Sequence, residues 1–246
     1  MTRYLGWIPE PREWSLGSVP MGAGVELLPS VDLARPPIRD QGAYPSCVAF
    51  ALSRALHIRA LEQRTVDARP YAPSWLWWHG RRDPHLETGM TLSAAFGVLR
   101  DIGAPSEEWC PYPLAVAPPD EASQHAYDQR GGFGARPVYG SLEAMRALSL
   151  GYPLVLGTVA RHGGPHATVI GGYDDALGVF REDNSWGTSW GVDGYGEVDI
   201  RALDSDDVLG LWAVTWSPSP SEDYAREILR PCHLGPTRGL HTRDAA

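Results

Sequence analysis

Apolar residues recur at three- and four-residue intervals in one early stretch of the chain. They lie at Val48, Ala51, Leu52, Ala55, Ile58 and Leu61. This period predicts an amphipathic helix from Ser46 to Gln63, and Pro45 followed by Ser46 suits the start of a helix.

Weaker periodicity predicts two further helices. The first spans Leu92–Ile102 and is ended by Gly103. The second spans Leu142–Leu150, with Ser141 as its N-cap and Gly151 as its C-terminal stop.

After Gly151 the pattern changes to short apolar or alternating runs separated by Gly, Asp and Asn, which is typical of β-strands. Strands are predicted over Leu154–Ala160, His166–Tyr173, Leu177–Asp183, Tyr195–Ile200 and Leu209–Trp216. Because helices come first and strands afterwards, without βαβ alternation, the sequence predicts an α+β fold with the two classes segregated.

Composition divides the chain into five parts. We interpret them as an N-terminal arm (1–30), a mainly helical lobe (31–112), a crossover rich in Pro, Ala and Gly (113–140), a β-rich lobe (141–216) and a C-terminal tail (217–246).

The composition excludes several kinds of chemistry. All 21 basic residues are arginine, against 30 acidic residues, so the net charge is −9. Without lysine there is no Schiff-base or pyridoxal enzyme, no Walker-type phosphate loop and no protein kinase. The acidic balance argues against nucleic acid or an anionic membrane as the main partner.

Compartment signals favour the cytoplasm. The start of the chain has no apolar signal-peptide core, and no stretch approaches the ~18 consecutive apolar residues of a membrane span. The cysteines Cys47, Cys110 and Cys232 form an odd, sparse set, which is typical of a reducing compartment. We therefore expect a cytoplasmic protein.

Cys47 is the best-placed nucleophile, because it falls in the first turn of the strongest predicted helix. Amide N–H groups and the helix dipole there favour the thiolate and would lower the thiol pKa from about 8.5. Such a cysteine needs a histidine from elsewhere in the fold. Taken alone, a helical cysteine is more often a buried small hydrophobe, so the surrounding pattern decides.

Three segments in sequence order resemble the papain-like cysteine peptidases. The segment 41–50, QGAYPSCVAF, resembles the family's nucleophile segment. His166 opens an apolar strand that ends in Gly-Gly-Tyr at 171–173. The segment 184–191, NSWGTSWG, followed by Gly-Tyr-Gly at 194–196, is similar to the family's asparagine motif. The resemblance covers about residues 31–216.

The resemblance implies a papain-like two-lobe fold, with a helical left half, a β-barrel-like right half and an active-site cleft between them. It implies the following roles: Cys47 as nucleophile, His166 as its base, Asn184 as the residue that orients the imidazole, Gln41 as oxyanion donor, Trp186 as a cover over the His166–Asn184 hydrogen bond, and Gly89 as the point of close approach for the substrate backbone.

The activity implied is that of a thiol protease, which hydrolyses peptide-type amide bonds through an acyl-enzyme and needs no metal or cofactor. Its partner would be a peptide, a protein or a small peptide-like amide. One alternative keeps the acyl-enzyme and passes it to an amine, as in an amide-forming or tailoring enzyme. A less favoured alternative is a catalytically silent binding protein on the same scaffold.

The sequence departs from the family pattern in three places. The family's Cys-Gly-Ser-Cys-Trp is replaced by Tyr-Pro-Ser-Cys-Val at 44–48, and the approach to the histidine, Arg-His-Gly-Gly-Pro at 161–165, predicts a more open leaving-group side. Only about 30 residues precede the match. Either no inhibitory segment exists, or the short arm covers the cleft in a different way.

Other motifs have simpler interpretations. His162 and His166 are not expected to form a metal pair, since the Gly-Gly-Pro between them does not hold a helix and no further ligand set completes a site. Cys110 and the Trp-rich run 75–78 are expected to be structural, and Cys232-His233 incidental.

Overall fold

The computed structural model describes residues 6–9, 24–65, 68–81, 83, 88–113, 117–128 and 133–216. The predicted tail 217–246, with Cys232-His233, lies outside the described residues, as does most of the arm 1–30. The α-helices in the described part are α1 (Cys47–Glu62), α2 (Pro73–Gly80), α3 (Leu92–Asp101), α4 (Asp120–Asp128) and α5 (Gly140–Ser149). The strands are β1 (Ser30–Asp32), β2 (Phe133–Pro137), β3 (Leu154–Thr158), β4 (His166–Asp174), β5 (Val179–Asp183), β6 (Tyr195–Asp199) and β7 (Val208–Trp216).

These strands form one antiparallel sheet. Its order is β2-β7-β3-β4-β5-β6, and β1 pairs with β4 outside that path. Strands β3 to β7 correspond to the five predicted strands. The α+β class is confirmed, because all five α-helices of the described part precede β3 and five of the seven strands, β3 to β7, follow them.

Helix α1 joins the helical part of the molecule to the sheet. It packs against β4, β3 and β7 on one side and against α2 and α3 on others. Eleven of its residues, among them Cys47, Leu52 and Ile58, are buried. Its predicted span is confirmed, and its packing places α1 directly against β4, the strand that begins with His166.

The structure corrects the start of one predicted helix. Helix α5 begins at Gly140, so Tyr139 is the N-cap and Ser141 lies inside the first turn. The Ser141 hydroxyl donates to the carboxylate of Asp204 at 2.8 Å, which uses the side chain that we expected to cap the helix.

Two helices and two strands were not predicted. The crossover range 113–140 contains α4 and β2, and β2 pairs with β7 at the edge of the sheet. Helix α2 contains the Trp-rich run, and Trp75 and Trp77 are buried, as expected for core packing. Cys110 is also buried. Within the described residues, no helix is long and apolar enough to cross a membrane.

Candidate active site

Cys47 lies at the first position of α1. Ser46 occupies the N-cap without a side-chain cap bond, and its hydroxyl lies 3.2 Å from the Tyr112 hydroxyl. The N–H of a first helical residue has no intrahelical acceptor, so the Cys47 amide is a donor at the start of the helix dipole.

His166 and Asn184 come together because β4 and β5 are antiparallel neighbours. The register pairs Val169 with Asp183, so Asn184 follows β5 close to the beginning of β4. The His166 Nε2 lies 2.9 Å from Asn184 Oδ1, and both side chains are buried. Because an amide oxygen only accepts, Nε2 carries the proton of this bond, and exchange with a thiol falls to the other ring nitrogen, Nδ1.

Strand β4 also contacts the thiol of Cys47. The backbone N–H of Ala167, the residue after His166, forms a hydrogen bond with the Cys47 sulfur. The predicted nucleophile, base and orienting amide therefore belong to one buried cluster at the α1–β4 contact.

Trp186 lies against the imidazole. The ring centroids of Trp186 and His166 are 4.6 Å apart, with 30° between the planes, and the indole is only 8 % exposed. The indole thus separates His166 from solvent on one side, which is the position expected for it.

Gln41 is fully buried in the turn before α1. Its Oε1 accepts from the Ser185 hydroxyl at 2.7 Å, and its Nε2 donates to the Tyr44 carbonyl at 2.9 Å. The Gln41 backbone N–H also donates to the Ser185 carbonyl at 2.8 Å. These bonds tie the turn before the nucleophile to the residue after Asn184.

The chain's own segment 6–9 lies across the site. The Gly6 carbonyl accepts from the Met90 amide at 2.8 Å, and the Ile8 amide donates to the Met90 carbonyl at 3.0 Å. Trp7 thereby forms a parallel bridge with Met90. Residues 6–9 therefore lie against Met90 and against the turn before α1.

The resemblance implied that the substrate backbone comes close to Gly89. In the structure, Gly89 is in contact with segment 6–9. A Cβ built at Gly89 would lie 2.1 Å from the Gly6 carbonyl oxygen, and one built at Gly6 would lie 2.0 Å from the Pro45 carbonyl oxygen. Only glycine fits at either position while the segment is in place.

The pKa of the buried Cys47 thiol differs from the value expected from the sequence. Burial raises the pKa of Cys47 to about 11, although the backbone N–H groups of Ala167 and Gly6 oppose the shift by hydrogen bonding to the sulfur. The expectation of a lowered pKa was wrong for this covered form, because removing the thiol from water outweighs the amides and dipole of the helix start.

Sequence inspection missed a buried carboxylate beside the site. Glu182 is fully buried and accepts from His162 at 2.8 Å, from Thr168 at 2.8 Å and from Arg161 at 3.1 Å. Burial alone would raise its pKa, but the hydrogen bond and charge of His162, with the charge of Arg161, hold the pKa of Glu182 below its usual value. The signal in the sequence was a Glu at an inward-facing strand position.

The His162 ring packs against three other aromatic side chains beside the site. Its ring centroid is 5.0 Å from that of His166, 5.4 Å from that of Trp186 and 6.0 Å from that of Trp190, each in an edge-on arrangement. His162 Nε2 also lies 2.8 Å from the Glu182 carboxylate. No group of three or more His, Cys, Asp and Glu side chains in the described part of the chain is arranged to hold a metal ion.

Comparison with known proteins identifies the fold. No protein-family model matches the sequence, and no curated protein matches it. In structure the chain is similar to xylellain, a cysteine protease from Xylella fastidiosa, with a TM-score of 0.77, 21% identity and coverage of 88% of this chain and 98% of that one.

Two further solved structures, both of procathepsins, are also similar to this chain. Procathepsin B S9 from Trypanosoma congolense has a TM-score of 0.70 at 19% identity, with 87% of each chain covered. Digestive procathepsin L 3 from the larval midgut of Tenebrio molitor has a TM-score of 0.67 at 17% identity, covering 87% of this chain and 76% of that one. These likenesses show that the chain has the papain-like two-lobe fold.

Proposed function

We propose that this chain, which has the papain-like fold, is a cysteine peptidase that cleaves peptide-type amide bonds through a thioester on Cys47. The observation that supports this most strongly is the buried His166 Nε2–Asn184 Oδ1 hydrogen bond of 2.9 Å, next to a cysteine at the first position of a helix. A cysteine, a histidine and a group that orients the histidine are the parts needed for nucleophilic catalysis by a thiol.

The first step is acyl transfer to sulfur. His166 Nδ1 takes the proton of Cys47, and the thiolate attacks the substrate carbonyl carbon. The C–N bond then breaks as the imidazolium gives its proton to the leaving nitrogen, so that an amine departs and a thioester remains. Asn184 holds the ring through Nε2, and the Trp186 indole keeps water from that hydrogen bond.

The second step hydrolyses the thioester and regenerates the free enzyme. Water attacks the thioester while His166 takes one of its protons, the C–S bond breaks, and a carboxylic acid and the Cys47 thiolate are released. In both steps the negative oxygen is stabilised by the Cys47 backbone N–H and by the side-chain N–H group of Gln41. Groups fixed in this way need no rearrangement as the charge develops.

The test is a peptide-library digestion analysed by mass spectrometry. We compare the full-length chain with its Gly6→Ala variant, in which segment 6–9 no longer fits, and with Cys47→Ala in each. Cys110→Ala is the matched control, because Cys110 is also buried. We expect Cys47→Ala to abolish cleavage and Cys110→Ala to retain it. Adding a small amine such as glycinamide shows whether water is the acceptor.

Several outcomes would contradict the proposal. Cleavage that persists in Cys47→Ala at the parent rate excludes the thiol mechanism. Products that carry glycinamide in place of a free carboxylate would favour amide transfer instead. No cleavage by Gly6→Ala, with a Cys47 thiol no more reactive than free cysteine, would favour a silent binding protein.

A further inference from the structure

The Tyr112 hydroxyl connects the two ends of the turn that precedes α1. It donates to the Gln41 carbonyl at 2.5 Å and lies 3.2 Å from the Ser46 hydroxyl. A phenol has one hydrogen, and the Gln41 carbonyl accepts it, so the Ser46 hydroxyl is the donor in the second bond. The hydrogen bonds therefore run in one direction, from Ser46 through Tyr112 to Gln41.

Both ends of this turn belong to the proposed site. In the proposed mechanism Gln41 supplies one oxyanion donor, and Cys47, which follows Ser46, supplies the other. Serine is a favoured N-cap, yet Ser46 makes no side-chain bond to the start of α1, so its hydroxyl serves the link to Tyr112. The turn contains Gly42 at a φ of 60°, where a residue without a side chain has most backbone freedom. A bond across the turn therefore limits the distance between its two ends.

Aromatic contacts hold the Tyr112 ring in this place. Its centroid is 4.7 Å from that of Phe50 on α1 and 6.0 Å from that of Tyr44 in the turn, and both pairs are edge-on. Such pairs have a preferred geometry and restrict the orientation of the ring. Burial raises the pKa of the Tyr112 hydroxyl to about 12, so the hydroxyl remains a hydrogen-bond donor at any pH used to assay hydrolysis.

We propose that Tyr112 is a positioning residue of the peptidase reaction, whose hydroxyl keeps the Gln41 side chain and the Cys47 backbone N–H aimed at the same substrate oxygen. Tyr112 does not itself touch the substrate and acts through Gln41. Displacement of a catalytic group by about 1 Å can cost on the order of a hundredfold in rate, so the position of this donor matters. The inference rests on the proposed peptidase function, but the link from Tyr112 to Gln41 can also be measured without catalysis.

The first test is a double-mutant cycle. The background is the full-length Gly6→Ala chain, in which segment 6–9 no longer fits, and the substrate is the peptide cleaved fastest in the library digestion. Tyr112→Phe and Gln41→Leu are introduced singly and together. Tyr112→Phe should lower kcat about fivefold to tenfold, as expected for one neutral hydrogen bond, and change KM by less than about twofold. When Gln41→Leu is already present, Tyr112→Phe should lower kcat by less than about twofold, because the donor that it positions is gone.

Tyr173→Phe is the matched control. The Tyr173 hydroxyl is bonded in the same way, since it donates to the Leu28 carbonyl at 2.6 Å and lies 3.0 Å from the Ser149 hydroxyl, but none of these residues is in the proposed site. Its loss should leave kcat unchanged. An unchanged kcat in Tyr112→Phe, an equal loss of kcat in both Tyr variants, or a loss from Tyr112→Phe that is as large with Gln41→Leu as without it would each overturn the inference.

The second test observes Gln41 by nuclear magnetic resonance and needs no substrate. The chain contains four glutamines, so protein carrying a heavy nitrogen isotope in its glutamine side chains gives few amide signals, and the pair that is missing from Gln41→Leu belongs to Gln41. Tyr112→Phe should move this pair more than the others, and Tyr173→Phe should not move it. An unmoved Gln41 pair in Tyr112→Phe overturns the inference and leaves the peptidase function intact. A moved pair without cleavage of any peptide keeps the link to Gln41 and contradicts the peptidase function.

Discussion

At the scale of single residues, Gln41 is the site residue whose role can be separated most cleanly from the fold. Its Oε1 accepts from the Ser185 hydroxyl, whereas its Nε2 donates to the Tyr44 carbonyl and is the proposed donor to the substrate oxygen. A substitution at Ser185 therefore disturbs the position of Gln41, and a substitution at Gln41 also removes the donor.

We predict that Gln41→Leu lowers kcat about 10²–10³-fold, the usual loss for one oxyanion donor, with a small change in KM. Leu is close in size to Gln, so the buried site stays filled. Ser185→Ala is the control and should lose much less activity, because the Gln41 Nε2 is retained. Steady-state kinetics of both variants check this, and circular dichroism confirms their fold. Equal kcat values for Gln41→Leu and the parent would exclude the oxyanion role.

The residue types of the site could be predicted, but their environment could not. Cys47, His166 and Asn184 stand in motifs whose order and spacing are visible in the sequence. The pKa of Cys47 depends on segment 6–9 lying over it, and Trp7 stands in a stretch without periodicity. A long-range cover of this kind leaves no local pattern.

At the scale of elements, segment 6–9 packs closely against the turn that leads into α1. The segment places a backbone N–H at the thiol, but it also excludes the water that would stabilise a thiolate. Because Gly6 fits only without a side chain, one methyl group is enough to weaken this contact.

We predict that Gly6→Ala uncovers Cys47. Its thiol pKa should fall from about 11 towards or below the ordinary range near 8.5, so the thiolate becomes populated at lower pH. The rate of alkylation by iodoacetamide at pH 7 should then rise on the order of a hundredfold, since only the thiolate reacts. Rates measured from pH 5 to 10 should show the variant's titration, whereas the parent's rate should still be rising at pH 10.

Pro9→Ala is the matched control for this experiment, because Pro9 is in the same segment but exposed. It should leave the pH profile unchanged. If Gly6→Ala and the parent were alkylated with the same profile, the segment would not control access to the thiol.

The elements that sequence patterns predicted have either an apolar run bounded by Gly, Asp or Asn, as in the wholly buried β3, or apolar residues at helical spacing, as in α3 and α5. Helix α2 has neither, because its Trp-rich sequence is apolar on most sides and matches its burial between other elements rather than a helical period. Helix α4 is short and lies in a stretch whose prolines and glycines dominate the composition.

At the scale of the whole molecule, one arginine connects the helical part to the sheet. Arg54 on α1 donates through Nε to Asp183 at 2.8 Å, and the two side chains are 9% and 0% exposed. The same guanidinium donates through Nη1 to the Pro36 carbonyl at 2.8 Å and through Nη2 to the Tyr195 hydroxyl at 3.3 Å. Asp183 directly precedes Asn184, so the connection supports the strand end that carries the orienting amide.

A lysine could not replace Arg54 without losing hydrogen bonds. A guanidinium donates from three nitrogens held in one plane, whereas an ammonium donates from a single nitrogen and cannot span acceptors that lie around three separate nitrogens. Arg54→Lys keeps the charge opposite Asp183 but gives up the bonds to Pro36 and Tyr195, which leaves a buried carbonyl with one partner fewer.

We predict that Arg54→Lys lowers the free energy of unfolding by about 2 kcal/mol, the usual value for lost hydrogen bonds to a charged group. Urea unfolding followed by tryptophan fluorescence measures this. Arg100→Lys, whose side chain is 74% exposed beside Asp101, is the control and should change stability by less than about 0.5 kcal/mol. If both variants unfolded at the same urea concentration as the parent, the positive charge at position 54 would be enough to hold α1 against the sheet. The geometry of the guanidinium would then not contribute to stability.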